Sequence, residues 1–161
     1  MLFVKVIFPC YDNSVNLIEN KKVRLNYEIL ETFTAGVELL GIEVKSIRNH
    51  QGSFEGSHIT IRGNEAFLLG ATIPPYQPNN TEKGYLEQRH RKLLLKKEEI
   101  EELQKVEKQR GLTIVPISMY NKGRTIKLDI AIVRGKKKFD KRADIKKRDT
   151  ARDVARELLD R

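Results

Sequence analysis

Apolar and polar positions alternate in short runs along most of this chain, and one stretch has helical spacing. In residues 27–40 (YEILETFTAGVELL), Tyr27, Ile29 and Phe33 stand against Glu28 and Thr32, and the aromatic and β-branched content predicts a strand. Ala35-Gly36 predicts a bend or bulge in it. Residues 41–49 (GIEVKSIRN) predict a short helix, with Ile42, Val44 and Ile47 loosely on one side. Residues 57–62 alternate plainly, Gly63-Asn64 makes a turn, and residues 65–69 return as a hairpin partner that residues 71–73 extend. Residues 97–110 (KEEIEELQKVEKQR) carry the strongest helical signal. Ile100, Leu103 and Val106 form one narrow apolar face, Glu98 and Glu99 complement the dipole in the first turn, and Gly111 stops the helix. Two more strands, 112–120 and 125–133, are joined by a turn at residues 121–124. Residues 11–24, polar and Asn-rich, read as a lead-in loop, and residues 74–88, with Pro74, Pro75 and Pro78, as a long loop of the kind that is functional or disordered.

At least five short strands with one inserted helix predict a mainly β protein. Edge strands are a liability, so closure into an OB-like β-barrel is the favoured solution. The expected organisation is an N-terminal arm (1–19), a barrel (20–133) and a basic C-terminal tail (134–161). In the tail, Val154 and Leu158, and Ala155 and Leu159, have helical spacing. So short a helix is marginal alone, and the tail is expected to be disordered when free and helical when bound.

Charge changes the picture. The chain of 161 residues has a formal net charge of +9, and its pI is near 9.7. Residues 134–148 hold nine Lys/Arg against two Asp, a local +7 that repels itself and requires solvent or a polyanion. A second cluster, Arg89-His90-Arg91-Lys92, runs into Leu93-Leu94-Leu95 and Lys96-Lys97, as in surfaces that meet phosphates and stack on a base or sugar. The competing reading puts Leu93 and Leu95 in the core with the cations solvated. A third cluster joins Lys45 and Arg48 to Lys21, Lys22 and Arg24. RNA is the polyanion these favour over a membrane surface, because the tail has no Trp and only Phe139 as an aromatic.

Other classes find less support. No apolar run approaches the length of a membrane span, and residues 1–10 lack a basic start and a cleavage site. Cys10, the only cysteine, permits no internal disulfide and fits a reducing cytosol. His50, His58 and His90 lack metal-ligand spacing, and no cofactor is implied. Glu43-Val44-Lys45 has the E-x-K form of metal-dependent nucleases, a common tripeptide. The expectation is no catalysis.

Four segments in order resemble one family: residues 40–48 (LGIEVKSIR), 89–95 (RHRKLLL), 111–116 (GLTIVP) with Tyr120 and Lys122-Gly123, and 135–142 (GKKKFDKR). Asn20-Lys21-Lys22 and Pro75-Tyr76 add to the match. The likeness, from about residue 20 to the end, is to the SsrA-binding protein (small protein B) family of bacterial trans-translation. It implies an OB-like barrel that binds the tRNA-like domain of transfer-messenger RNA and enters the A site of a ribosome stalled on a message without a stop codon. The tail would sense the empty mRNA channel, and the nascent chain would be tagged for degradation. The resemblance implies an RNA surface at Asn20, Lys21, Lys22, Arg24, Glu43, Lys45, Arg48, Arg89, Arg91, Lys92, Leu94 and Lys127. It implies ribosomal contacts at Gly135, Lys136, Lys137, Lys138, Asp140, Lys141, Arg142, Lys146, Lys147 and Arg148. A cytoplasmic monomer is expected, and a general OB-fold RNA-binding or ribosome-binding protein is the alternative. The chain departs from the family pattern at Thr34, where an acidic RNA-contacting residue is usual, at Phe139 and at Asn121.

Overall fold

The structure, a computed structural model, describes residues 16–81, 84–137 and residue 150. Among them run β1 (Asn16–Glu19), α1 (Val23–Asn26), β2 (Tyr27–Val37), α2 (Gly41–Arg48), β3 (His58–Arg62), β4 (Glu65–Leu69), a 3-10 turn (Pro78–Asn80), β5 (Arg91–Leu94), α3 (Lys97–Glu107), β6 (Leu112–Lys122) and β7 (Thr125–Gly135). The seven strands form one antiparallel sheet in the order β1-β6-β7-β2-β5-β4-β3.

The sheet curls around a core of alternate side chains: Ile114 and Met119 of β6, Leu128, Ile130 and Ile132 of β7, Ala35 of β2, Ile59 of β3, Leu68 of β4 and Leu93 of β5. Ile47 of α2 and Leu103 of α3 complete it, each fully buried. A smaller cluster on the outer face, Val23, Val115, Ala131 and Val133, lies under α1. The curl brings β3 beside β6, and α3 packs against both. The strand ladder does not close between β1 and β3. The barrel is completed by packing, and Glu107 of α3 accepts from the Ile61 N–H of β3 at 3.3 Å, which blunts that edge.

Several boundaries differ from the sequence pattern. The lead-in loop contains β1 and α1, because Leu17, Ile18 and Val23 bury their side chains against the sheet. The sheet thus begins ahead of the expected barrel boundary at residue 20. The irregularity in β2 falls between Ile29 and Glu31, not at Ala35-Gly36. Gly36 serves close approach instead, since a Cβ there would lie 3.2 Å from the Leu94 Cβ on the neighbouring strand. Residues 71–73 contribute one isolated bridge, Ser53 to Thr72. β6 and β7 each run two residues past their expected ends, which leaves a two-residue turn, Gly123-Arg124, with Gly123 at φ 62°. The expectations for the N-terminal arm before residue 16, and for the tail at residues 138–149 and beyond 150, lie outside the described residues.

Candidate nucleic-acid interface

The interface is built around a buried ion cluster that holds α2, the 74–90 loop and β5 together. Glu43, fully buried in α2, accepts from the Leu40 N–H at 2.8 Å, as an N3 glutamate does at a helix start. Arg89 donates to the same carboxylate from Nε (2.8 Å) and Nη2 (2.6 Å), and Arg91 from Nε at 3.0 Å. Arg91 is also fully buried. Its Nη1 donates to the carbonyls of Ala71 (2.7 Å) and Arg89 (3.1 Å), and its Nη2 to that of Glu87 (2.7 Å). Tyr85 OH donates to the Ile73 carbonyl at 2.7 Å and lies 3.4 Å from Glu43 Oε1.

Burial pushes the Glu43 carboxyl upward. Hydrogen bonds from Arg89 and the Leu40 N–H, with the charges of Arg91 and Arg89, outweigh it and hold the carboxyl below the ordinary glutamate value. Burial, then the Glu43 charge, raises the Tyr85 phenol.

This cluster corrects two expectations. Glu43 and Arg91 do not lie on a surface that RNA touches, because each is sealed from solvent and its polar atoms are spent on protein partners. The nuclease reading of E-x-K fails for the same reason: two guanidiniums occupy the carboxylate a metal would need. The competing reading of residues 89–95 is half right. Leu93 is buried and Leu95 partly so, but Arg91 goes inward with them. Leu94, 58% exposed, is the leucine that faces out.

The remaining site residues fall into two groups. The first surrounds a groove of about 280 Å³ lined by Gly36, Val37, Val44, Leu94, Arg124 and Lys127. Arg48 of α2, exposed, reaches to its edge with Nη2 donating to the Arg124 carbonyl at 3.3 Å, and Lys45, also exposed, follows the lining residue Val44 in the same helix. Arg89, partly exposed, joins this group through Glu43. Lys92 is ion-paired with Glu65.

The second group lies at the other end of the β2–β7 ladder. That ladder runs from Gly36 opposite Lys127 to Tyr27 opposite Gly135, about 25 Å at strand rise. Here stand half-buried Asn20 and exposed Lys21, Lys22 and Arg24, with Lys22 ion-paired to Glu55. Asn20 Nδ2 makes long bonds, 3.5 Å each, to the Phe54 and Pro116 carbonyls. Lys136 donates from its backbone N–H to the Asn26 carbonyl and from Nζ to the Arg24 carbonyl, both at 3.0 Å, which fixes the root of the tail beside α1. Gly135 and Lys137 are exposed there. The tail residues Lys138, Asp140, Lys141, Arg142, Lys146, Lys147 and Arg148 lie outside the described residues.

Reading the sequence missed Arg124, which only the tight turn brings beside Lys127, and the exposed Leu40 at the head of α2. Among the described residues no group of His, Cys, Asp and Glu could hold a metal ion, and no helix is long and apolar enough to cross a membrane.

Fold and surface together define a class: a small antiparallel barrel protein with a cation-flanked, apolar-floored groove suited to folded RNA. The family model described as "SmpB protein" matches residues 17–160. The chain belongs to the SmpB family. The SsrA-binding protein of Oleidesulfovibrio alaskensis is 47% identical over 146 residues, covering 89% of this chain and 92% of its own. That of Mesoplasma florum is 52% identical over 133 residues, covering 83% and 89%. A solved structure described as "tmRNA-SmpB: a journey to the center of the bacterial ribosome" superposes with a TM-score of 0.64 at 39% identity, over 75% of this chain and 85% of that one.

Proposed function

We propose that this chain is a non-catalytic adaptor of trans-translation, acting in the cytoplasm as a monomer. It binds the tRNA-like domain of transfer-messenger RNA and carries it to the A site of a stalled ribosome, so that the nascent chain is tagged for degradation. The observation that carries this reading is the groove between α2, β5 and the β6–β7 turn. Lys45, Arg48, Arg124 and Lys127 offer charge to phosphates, and Leu94 offers an apolar surface to a sugar or base. Folded RNA is recognised largely by shape and backbone, which suits a rigid groove braced from beneath by Glu43, Arg89 and Arg91. Asn20, Lys21, Lys22 and Arg24 of the second basic group are kept as RNA contacts, and the tail is assigned to the ribosome, with 135–137 at its root and 138–161 in the empty mRNA channel. A full-length message and the tail cannot share one channel, which supplies selectivity for truncated messages.

A competition assay tests the RNA assignment. Labelled tRNA-like domain is bound to the protein and challenged with unlabelled tRNA-like domain or bulk tRNA. Displacement by the former at much lower concentration supports the dedicated partner. Equal displacement would indicate a general RNA-binding barrel.

A further inference from the structure

The outward face of the β6–β7–β2 ladder carries one carboxylate among hydroxyls and cations. Strand register sets Asp129 of β7 between Thr34 of β2 and Ser118 of β6, with Lys127 opposite Tyr120 one step along. Thr34 Oγ1 donates to Asp129 Oδ1 at 2.8 Å, and Tyr120 OH donates to the same oxygen at 3.1 Å. Among the described residues no hydrogen bond reaches Asp129 Oδ2, and no ion pair includes Asp129. Asp129 is half-buried and Thr34 exposed, so the carboxylate is both braced and open to a partner. Two residues away on the same face, Lys127 lines the groove.

An anion on this face beside such a groove opposes every phosphate that approaches it. Phosphate oxygens only accept hydrogen bonds, so a carboxylate gains nothing from them. RNA donates at two kinds of group, the ribose 2′-hydroxyl and the base N–H. A carboxylate takes a charge-assisted bond from either.

Resting on the RNA-binding reading above, we propose that Asp129 is a specificity-determining acceptor in the RNA interface. Thr34 and Tyr120 fix its Oδ1, and its Oδ2 takes a hydrogen bond from a 2′-hydroxyl or a base N–H of RNA that lies along the groove. The acid would repel unmatched RNA and reward RNA that presents a donor there.

The test is a titration of wild type and Asp129→Asn with a synthetic tRNA-like domain, and with polyuridine of equal length as an unstructured reference that holds no donor in a fixed position. The amide keeps an oxygen for Thr34 and Tyr120 but loses the charge. The expected result is about a tenfold loss of affinity for the tRNA-like domain, with polyuridine binding unchanged or tighter. A bystander acid predicts the reverse, because removing an anion from a cationic surface strengthens binding to any RNA. Unchanged or tighter binding of the tRNA-like domain would overturn the proposal.

Melting is followed for each variant. If Asp129→Asn is unfolded at the assay temperature, Asp129→Glu keeps the charge but moves it by one methylene: a comparable loss supports the proposal and undiminished affinity overturns it. Single 2′-deoxy substitutions along the RNA, and base analogues that each lack one N–H donor at every base type, distinguish the two donors. The one whose effect vanishes in the Asp129 variant is the partner, and full additivity at every position overturns the proposal. If wild type itself does not prefer the tRNA-like domain to polyuridine, the RNA-binding reading fails. A preserved preference with an indifferent variant sinks the Asp129 assignment alone.

Discussion

Glu43 shows how much one side chain can organise. Its carboxylate caps α2, fixes Arg89 at the rim and neutralises Arg91 in the interior. Breaking a buried pair strands the remaining charge. Arg91→Ala should therefore destabilise by about 3–5 kcal/mol, measured by denaturant unfolding. RNA affinity, measured where the variant is still folded, should fall less than a lost direct contact would require. Acidity probes the same site. The Glu43 carboxyl is depressed in the folded state, so the stability it contributes is complete above its unfolded value and is lost as pH falls through the folded one. Wild type should lose stability on acidification below about pH 4. Glu43→Gln should start less stable at pH 7 and show a shallower acid loss, and parallel curves for the two proteins would refute the assignment.

At the scale of elements, α2, β5 and the β6–β7 turn meet because Gly36 lets β5 cross close to β2 and because Arg48 ties the helix to the Arg124 carbonyl. The cations of this groove are expected to act on phosphates. If about six phosphates are neutralised, log affinity should fall against log salt with a slope near −4 to −5. Lys127→Ala should weaken binding and reduce that slope by about one. Lys92→Ala should leave it nearly unchanged, since Glu65 already holds that ammonium. Leu94→Asp places an anion on the apolar floor at an exposed position. It should abolish groove binding and shift stability by no more than about 0.5 kcal/mol. Fluorescence anisotropy across a salt series with parallel melting curves checks all three.

At the scale of the molecule, the basic residues occupy two ends of one long ladder, with the root of the tail at the end away from the groove. A protein cut after Lys137 keeps the two Lys136 bonds to the α1 segment. It should bind the tRNA-like domain with nearly full affinity and fail to support tagging on ribosomes stalled at the end of a message. An equal loss of both activities would place the tail in the RNA site instead.

Element type and order were legible wherever a periodic pattern ran for five or more residues, as in α3, the β3–β4 hairpin and β6–β7. Local pattern is enough there, because each element buries the face its own spacing marks. β1 and β5, four residues each, were too short to show a period, and their pairing with distant strands makes them visible. The basic character of the surface follows from composition alone. Tertiary structure alone decided which cations remain on the surface. Arg91 and Lys92 are neighbours in one basic run, yet strand alternation and a carboxylate 48 residues away draw the first inside and leave the second out. Asp129 became a candidate acceptor for the same reason: Thr34 and Tyr120 reach it only through cross-strand register. Burial and register depend on partners remote in the chain, and the free energy of pairing a charge or a donor is set by those partners.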